Sequence, residues 1–325
     1  MKKFASIIVF ALSLILIFSL TSLAKGTYEI HYGTWANPGE AAYEGMEQFK
    51  KIVEEASNGQ IEVFLYPANQ LGSTDEQLEQ VGMGTIQMMS SGQPGMKEIE
   101  YMSLPYLMKS IANWEKVINS DIGQEWNKTL VSDRGMRMLG FLPRGPRVIS
   151  CNKIVNSIDD LAGMKIRSPE RDYYVETLTA FGAKPTPMAF GEVYTALQTG
   201  VVDGQENPVE TIYAAGFYEV QKCIALTYHI VKPAFVLINE EFFQNLPEDF
   251  QSLLMEAQSK SRIYAQEILD KQQMEMLQEM ENKGIVITKP DLAPFIKVTE
   301  PVREKLGKKV WGEDVYNYIK AIGQE

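Results

Sequence analysis

The sequence predicts an α/β protein of two domains with one helix long enough to serve both. Three features carry that expectation. At roughly 150 residues per domain, the 325-residue chain has length for two cores. Strand and helix patterns alternate over about the first ninety residues and resume near Gly145. A helical rhythm then runs from about Glu248 to Lys283, which at 1.5 Å per residue would measure about 54 Å, longer than a domain of this size is wide.

Tyr28 to Tyr32 alternates like a strand and ends in Gly33-Thr34. Ala42, Met46, Phe49, Val53 and Ala56 repeat at helical spacing until Asn58-Gly59 stops them. Ile61 to Tyr66 alternates again, Ser73-Thr74-Asp75-Glu76 opens a short helix as a capping box, and Ile86 to Ser90 is the third strand. This β-α-β-α-β order implies parallel strands with helices on their faces. In the second pattern Arg147–Ser150 and Met164–Arg167 read as strands and Arg171–Phe181 as a helix. Phe190–Thr199 is a helix stopped by Gly200, and Val201–Asp203 a short strand. Ile224 to Ile238, broken by Lys232-Pro233, can carry the chain back to the first domain. The stretch from Phe250 to Met280 reads either as two helices with an unmarked break or as one spine across both domains; the spine is preferred.

Composition narrows the function classes. The chain is 45% apolar and 22% charged, which excludes wholesale disorder. A formal net charge of -11 argues against nucleic acid or an anionic membrane surface as the main partner. Two His leave little room for a histidine-rich metal site, and two Cys cannot make a disulfide scaffold. Whether Cys151 and Cys223 pair stays open, because spacing does not bring their Cα atoms together. Lys2 and Lys3, the apolar run from Ile7 to Leu20, and small residues at Ser22 and Ala24 read as a signal peptide, residues 1–24, cut after Ala24. An uncleaved membrane anchor is the alternative. Either way the chain is exported, and the cleaved form is periplasmic or secreted.

No catalytic constellation emerges. GxSxG, HExxH, CxxC and the Walker loop are all absent, and carboxylates do not recur at metal-ligand spacing. Gly82 to Gln87 begins like a dinucleotide loop, but it lies between a helix and a strand, the reverse of such a site. His31 and His229 fall in strands and read as packed or edge histidines. No cofactor is expected.

In open α/β sheets ligands sit beyond the carboxyl ends of the strands. That edge carries Trp35-Ala36-Asn37, Ala68-Asn69-Gln70 and Ser91-Gly92-Gln93, aromatic and hydrogen-bonding groups without a nucleophile–base pair. Arg147 and Arg167 stand on strands of the second pattern, Arg167 at a carboxyl end before Ser168-Pro169. In an acidic chain, a guanidinium is the group to capture an anion, because it stays charged and its planar fork grips a carboxylate with two hydrogen bonds. Asn207, in a strand-to-helix turn, supplies an amide donor nearby.

At these residues the chain resembles a known family. The run from Ala183 to Pro208 (AKPTPMAFGEVYTALQTGVVDGQENP) is similar to the signature of TRAP transporter solute-binding proteins, the DctP family. Asp160–Arg167, Tyr66–Gly72 and Phe217–Lys222 support it, and the order of elements fits from about residue 28 to about 300. The resemblance implies a two-domain, periplasmic-binding-protein-like fold, with a ligand cleft between the domains and a long helix spanning both. On that pattern residues 25–144 with 233–266 form the first domain, and 145–232 with 267–325 the second. The resemblance assigns Arg167 to the ligand carboxylate, Arg147 and Asn207 to its support, and Phe190 to packing against the ligand. It also implies integral membrane TRAP transporter subunits as partners, driven by a cation gradient.

Sialic acid receptors of this family carry a polar residue near the position of Trp35 and an acidic one near Gly92, so sialic acid does not fit. Trp35 can stack on a ring or pack between domains. Asn37, Asn69, Gln70, Ser91 and Gln93 offer hydrogen bonds to hydroxyls, which favours a sugar acid over a keto, aromatic or dicarboxylic acid. A secreted enzyme on small acids, or a receptor serving a sensor kinase or another importer, are the rivals.

Overall fold

The computed structural model describes residues 28–325; the expected signal peptide lies outside the described residues. Two sheets organise the chain. The first has strand order β2-β1-β3-β10-β4, from Ile61–Tyr66 (β2), Tyr28–Thr34 (β1), Met88–Ser91 (β3), Ala234–Asn239 (β10) and Met136–Leu142 (β4). As the sequence pattern implies, β1 runs parallel to β2 and β3, whereas β10 pairs antiparallel with β3 and β4. The second has order β11-β9-β5-β8-β6-β7, from Val286–Thr288 (β11), Cys223–Ile230 (β9), Arg147–Cys151 (β5), Gly204–Pro208 (β8), Lys165–Ser168 (β6) and Lys184–Pro187 (β7). Here β6 is parallel to β7 and β8, and β5 is antiparallel to β8 and β9.

The chain crosses between the sheets three times, twice through short segments and once through the long helix between β10 and β11. Residues 143–146 join β4 to β5, and residues 231–233 join β9 to β10. Each short crossover is bounded by proline: Pro143-Arg144-Gly145-Pro146 in one, Lys232-Pro233 in the other.

One uninterrupted helix, Glu248–Asn282, serves both cores. Phe250, Leu254, Ala257 and Ala265 join the cluster under the first sheet with Ile30, Phe49 and Val236, while Met276 and Met280 join the second-domain cluster with Val148, Leu197 and Ile224. The alternative of two helices is thereby excluded. Gly45 in the helix Ala41–Ala56 lets this spine approach closely: a Cβ there would lie 2.8 Å from Leu142 Cδ2 and 3.1 Å from Ala265 Cβ. Burying a Leu or Phe side chain is worth about 1.5–3 kcal/mol, so each end of the spine is anchored by several such contacts.

The helix Ala293–Gln324, kinked at Gly312 (φ 76), departs from the domain division expected from sequence. Phe295 packs with second-domain residues, but Leu306, Tyr316 and Ile319 enter the first-domain cluster around Leu107 and Trp114. Asn113 Nδ2 donates to the Ile322 carbonyl at 2.7 Å. The physical reason is that its apolar residues complete a core to which both halves contribute, Tyr173 and Tyr174 beside Leu107 and Trp114.

Two local expectations also shift. The short strand expected at Val201–Asp203 begins instead at Gly204, and Asn207 lies within β8 rather than in a turn, because Val148 of β5 is its register partner. Cys151 and Cys223 are register partners across β5 and β9, buried and both free thiols.

Candidate functional site

Between the two sheets lies a cavity of about 340 Å³. Trp35, Asn69, Ser73, Asp75 and Gln93 line it from the first domain, Arg147, Arg167, Tyr174, Phe190 and Asn207 from the second, and Arg144 and Lys232 from the crossovers. Of the residues singled out in the sequence, Arg167, Arg147, Asn207, Phe190, Trp35 and Gln93 converge here; Asn37 and Ser91 do not. The Asn37 amide instead donates to Glu40 Oε1 at 3.2 Å, in the turn before the following helix. Ser91 is buried, and its Oγ accepts from the Gln93 backbone N–H at 2.9 Å, holding the turn that presents Gln93.

The strand pleat decides what the two arginines do. Arg147, Ile149, Glu206 and Pro208 share one face of β5 and β8, while Val148 and Asn207 share the other. Arg147 therefore meets Glu206 across the ladder. Its Nε and Nη2 donate to the two Glu206 carboxylate oxygens, and Nη2 also reaches the Glu206 carbonyl at 2.7 Å. His229 Nε2 stands 3.1 Å from the same carboxylate, with its Nδ1 2.8 Å from Thr227 Oγ1. Burial alone would raise Glu206, but Arg147 and His229 hold its carboxyl down at about 2. Burial likewise lowers His229, a packed histidine rather than a general base. The guanidinium fork of Arg147 is thus occupied by the protein itself.

Arg167 is different. It follows Ile166 and so emerges from the opposite face, the one shared by Gln205 across β6 and β8. Its side chain is buried, and Nε and Nη2 donate to the Met188 carbonyl at 3.1 and 2.7 Å. Among the described residues no carboxylate forms an ion pair with it. Burial pulls the guanidinium down to about 10, which leaves it charged at neutral pH. Asn207, also buried, donates one amide hydrogen to Gln205 Oε1 at 2.6 Å. Phe190 rests edge-on against Phe217, ring centroids 5.6 Å apart.

Sequence reasoning missed the cations of the crossovers. Arg144 lies 4.6 Å over the Trp35 ring, so one face of that indole is already covered. Lys232 Nζ donates to the Tyr173 and Tyr174 hydroxyls at 3.1 and 3.4 Å. The signal available was a cation next to proline in each short crossover, Pro143-Arg144 and Lys232-Pro233. Arg171 was also missed: at the mouth it reaches Asp75 of the first domain through Nη2 and Glu100 through Nε at 3.3 Å. Ala68 and Asn69, on the first-domain rim, both adopt left-handed backbone, with φ of 53 and 59. Ala in that region is strained, so the rim loop is held in place by its surroundings, including Ala68 N–H to the Ala36 carbonyl at 3.0 Å.

Comparison with known proteins places this geometry. The family model for bacterial extracellular solute-binding protein, family 7 (DctP), matches residues 32–309. The chain is 32% identical to the sialic acid-binding periplasmic protein of Vibrio cholerae over 95% of its own length and 97% of the relative's. It is 30% identical to the C4-dicarboxylate-binding periplasmic protein of Rhodobacter capsulatus over 97% and 96%. Among solved structures, a TRAP periplasmic solute-binding protein of Roseobacter denitrificans with bound L-galactonate superposes with a TM-score of 0.83 at 28% identity, covering 92% of this chain and 99% of that one. One of Pseudomonas putida with bound D-glucuronate gives 0.83 at 27%, covering 90% and 97%. The two-sheet fold, the spine helix and the cleft are thus those of a family of periplasmic binding proteins rather than of enzymes. This chain belongs to the DctP family of bacterial extracellular solute-binding proteins.

Proposed function

We propose that this protein captures a sugar acid in the periplasm, holding its carboxylate on Arg167, and delivers it to the integral membrane subunits of a TRAP-type transporter. The observation that carries this reading is the buried Arg167 guanidinium, which lines the cleft and forms no ion pair with a carboxylate among the described residues. An unpaired buried cation is costly, and a ligand carboxylate is the group that offsets it. Asn207 supplies an amide beside it and Phe190 an apolar face; Arg147, neutralised by Glu206, buttresses the site. Asn69 and Gln93 stand on the first-domain wall to take hydroxyls. The sugar acids bound in the similar structures support this ligand class.

Calorimetric titration of the mature protein, refolded to remove carried-over ligand, with L-galactonate and D-glucuronate tests the reading. Losing one partner of a buried, hydrogen-bonded charge pair costs about 2–5 kcal/mol, so Arg167→Ala should weaken binding by roughly 30-fold or more. Arg167→Lys should also bind poorly, since a point charge does not replace the fork. Unchanged affinity in Arg167→Ala would overturn the assignment.

A further inference from the structure

The cleft holds more positive charge than one carboxylate uses. Arg144 and Lys232 come from the two short crossover segments and meet beside Gly92: a Cβ placed on Gly92 would lie 3.3 Å from Arg144 Nη1 and 3.9 Å from Lys232 Cε. Both side chains are at least nine-tenths buried, Arg144 at 5% exposure and Lys232 at 1%. Neither forms an ion pair with a carboxylate among the described residues. Arg144 donates to Thr211 Oγ1 at 3.1 Å, while its Nε is buried with no hydrogen-bond partner. Lys232 has only the two tyrosine hydroxyls.

The nearby acids bond to other groups, although Glu210 Oε2 is buried without a hydrogen-bond partner. Glu100 pairs with Arg171, and Glu40 accepts from Thr211 Oγ1 at 2.7 Å. Glu210 accepts the Gly145 N–H at 2.8 Å, and burial raises its carboxyl above the ordinary range. Arg147 disfavours the charge on Arg144 and Lys232, whereas on Arg167 the attraction of Glu206 outweighs it. Gly92, Arg144 and Lys232 line the same cavity, so both cations face the space a ligand would fill.

We infer that the ligand carries two carboxylates, one on Arg167 and the second on the Arg144–Lys232 pair, so that the preferred solute is a sugar diacid rather than a sugar monoacid. Two side-chain cations match the two oxygens of a carboxylate, each contact charge-assisted. Because Arg144 and Lys232 sit in the segments that join the domains, the second carboxylate would bind where closure bends the chain. This inference rests on the sugar-acid reading above.

The test compares acids that differ only at the far carbon, galactonate against galactarate and gluconate against glucarate, by calorimetric titration of the refolded mature protein. Within a pair, the diacid should bind at least 10-fold tighter. That ratio should shrink in Arg144→Gln and in Lys232→Met, each checked for folding by thermal melting. Monoacids binding as tightly as their diacids would overturn the inference and leave the sugar-acid reading standing. If no member of either pair bound, both would fall together. A diacid preference that survived in both folded variants would overturn the assignment to Arg144 and Lys232. The wild-type comparison decides the ligand class even where a variant does not fold.

Discussion

The two walls of the cleft are built on different principles. The second-domain wall presents buried charge from strands: Arg147 with Glu206 and His229 on one face of the sheet, Arg167 on the other. The first-domain wall presents Trp35, Asn69, Ser73 and Gln93 from the loops after β1, β2 and β3, mostly neutral groups, and all but Trp35 are part-exposed or exposed. A charged end held in low dielectric is bound strongly and in one orientation. Neutral donors and acceptors contribute less each, but their pattern separates one polyol from another. On the proposed function one wall anchors and the other selects.

The anchoring wall itself divides into a satisfied half and an unsatisfied half, and the largest expected effect separates them. Glu206→Gln would leave Arg147 buried without its carboxylate, and denaturant unfolding should show a loss of about 3–5 kcal/mol; a loss below about 1 kcal/mol would refute the buttress role. Arg167→Ala should do the reverse, losing roughly 30-fold or more in affinity while the unliganded protein melts no lower, since a buried cation lacking a carboxylate partner has been removed.

Acid sharpens the same contrast. Glu206 titrates at about 2 in the folded protein against an ordinary 4.5. The unfolded chain therefore takes up this proton first, so the stability it contributes is present above pH 4.5 and is lost as pH falls toward 2. Melting temperature should drop more steeply across that window in the wild type than in Glu206→Gln. Parallel curves would show that the pair is not the acid-sensitive element.

On the selecting wall the effects should be smaller. Asn69→Ala removes a neutral hydrogen-bonding group, worth about 0.5–1.5 kcal/mol, so affinity should fall by about 2- to 12-fold and unequally among sugar acids. A uniform loss across the panel would argue that Asn69 shapes the rim rather than reads the ligand. Smallest on affinity is Arg171→Ala, which cuts the bridges to exposed Asp75 and buried Glu100 at the mouth, away from the carboxylate anchor, and should loosen binding only a few-fold. A loss as large as that of Arg167→Ala would make Arg171 an anchor in its own right.

Much of this was legible in the chain because local chemistry announced it. The capping box at Ser73 and Glu76 forms as read, with Ser73 N–H donating to Glu76 Oε2 at 2.7 Å. Arg167 before Ser168-Pro169 stands at a strand end and lines the cleft. What could not be read is which cation is already paired. Glu206 lies one residue before Asn207 in sequence, yet only the β5–β8 register turns it toward Arg147 and leaves Arg167 bare. Asn37 and Ser91 had the right chemistry at the right edge, and local turn bonds claimed them. Arg144 and Lys232 were hidden for a different reason, since their importance comes from the meeting of two distant crossovers. The terminal helix was misplaced because Leu306, Tyr316 and Ile319 would suit either core equally well.

The bridge from Arg171 to Asp75 and Glu100 ties the domains together with groups that belong to the protein, so part of the attraction shutting the mouth is present whatever fills it. A solute shifts the balance between open and shut only by the difference in how it binds the two. On the proposed function, a stronger latch would let an empty receptor shut and pass for a full one at the transporter. With a weaker one, the same solute would have to do more of the closing and would escape sooner. A single arginine at the rim thereby sets how faithfully the shape of this protein reports its cargo.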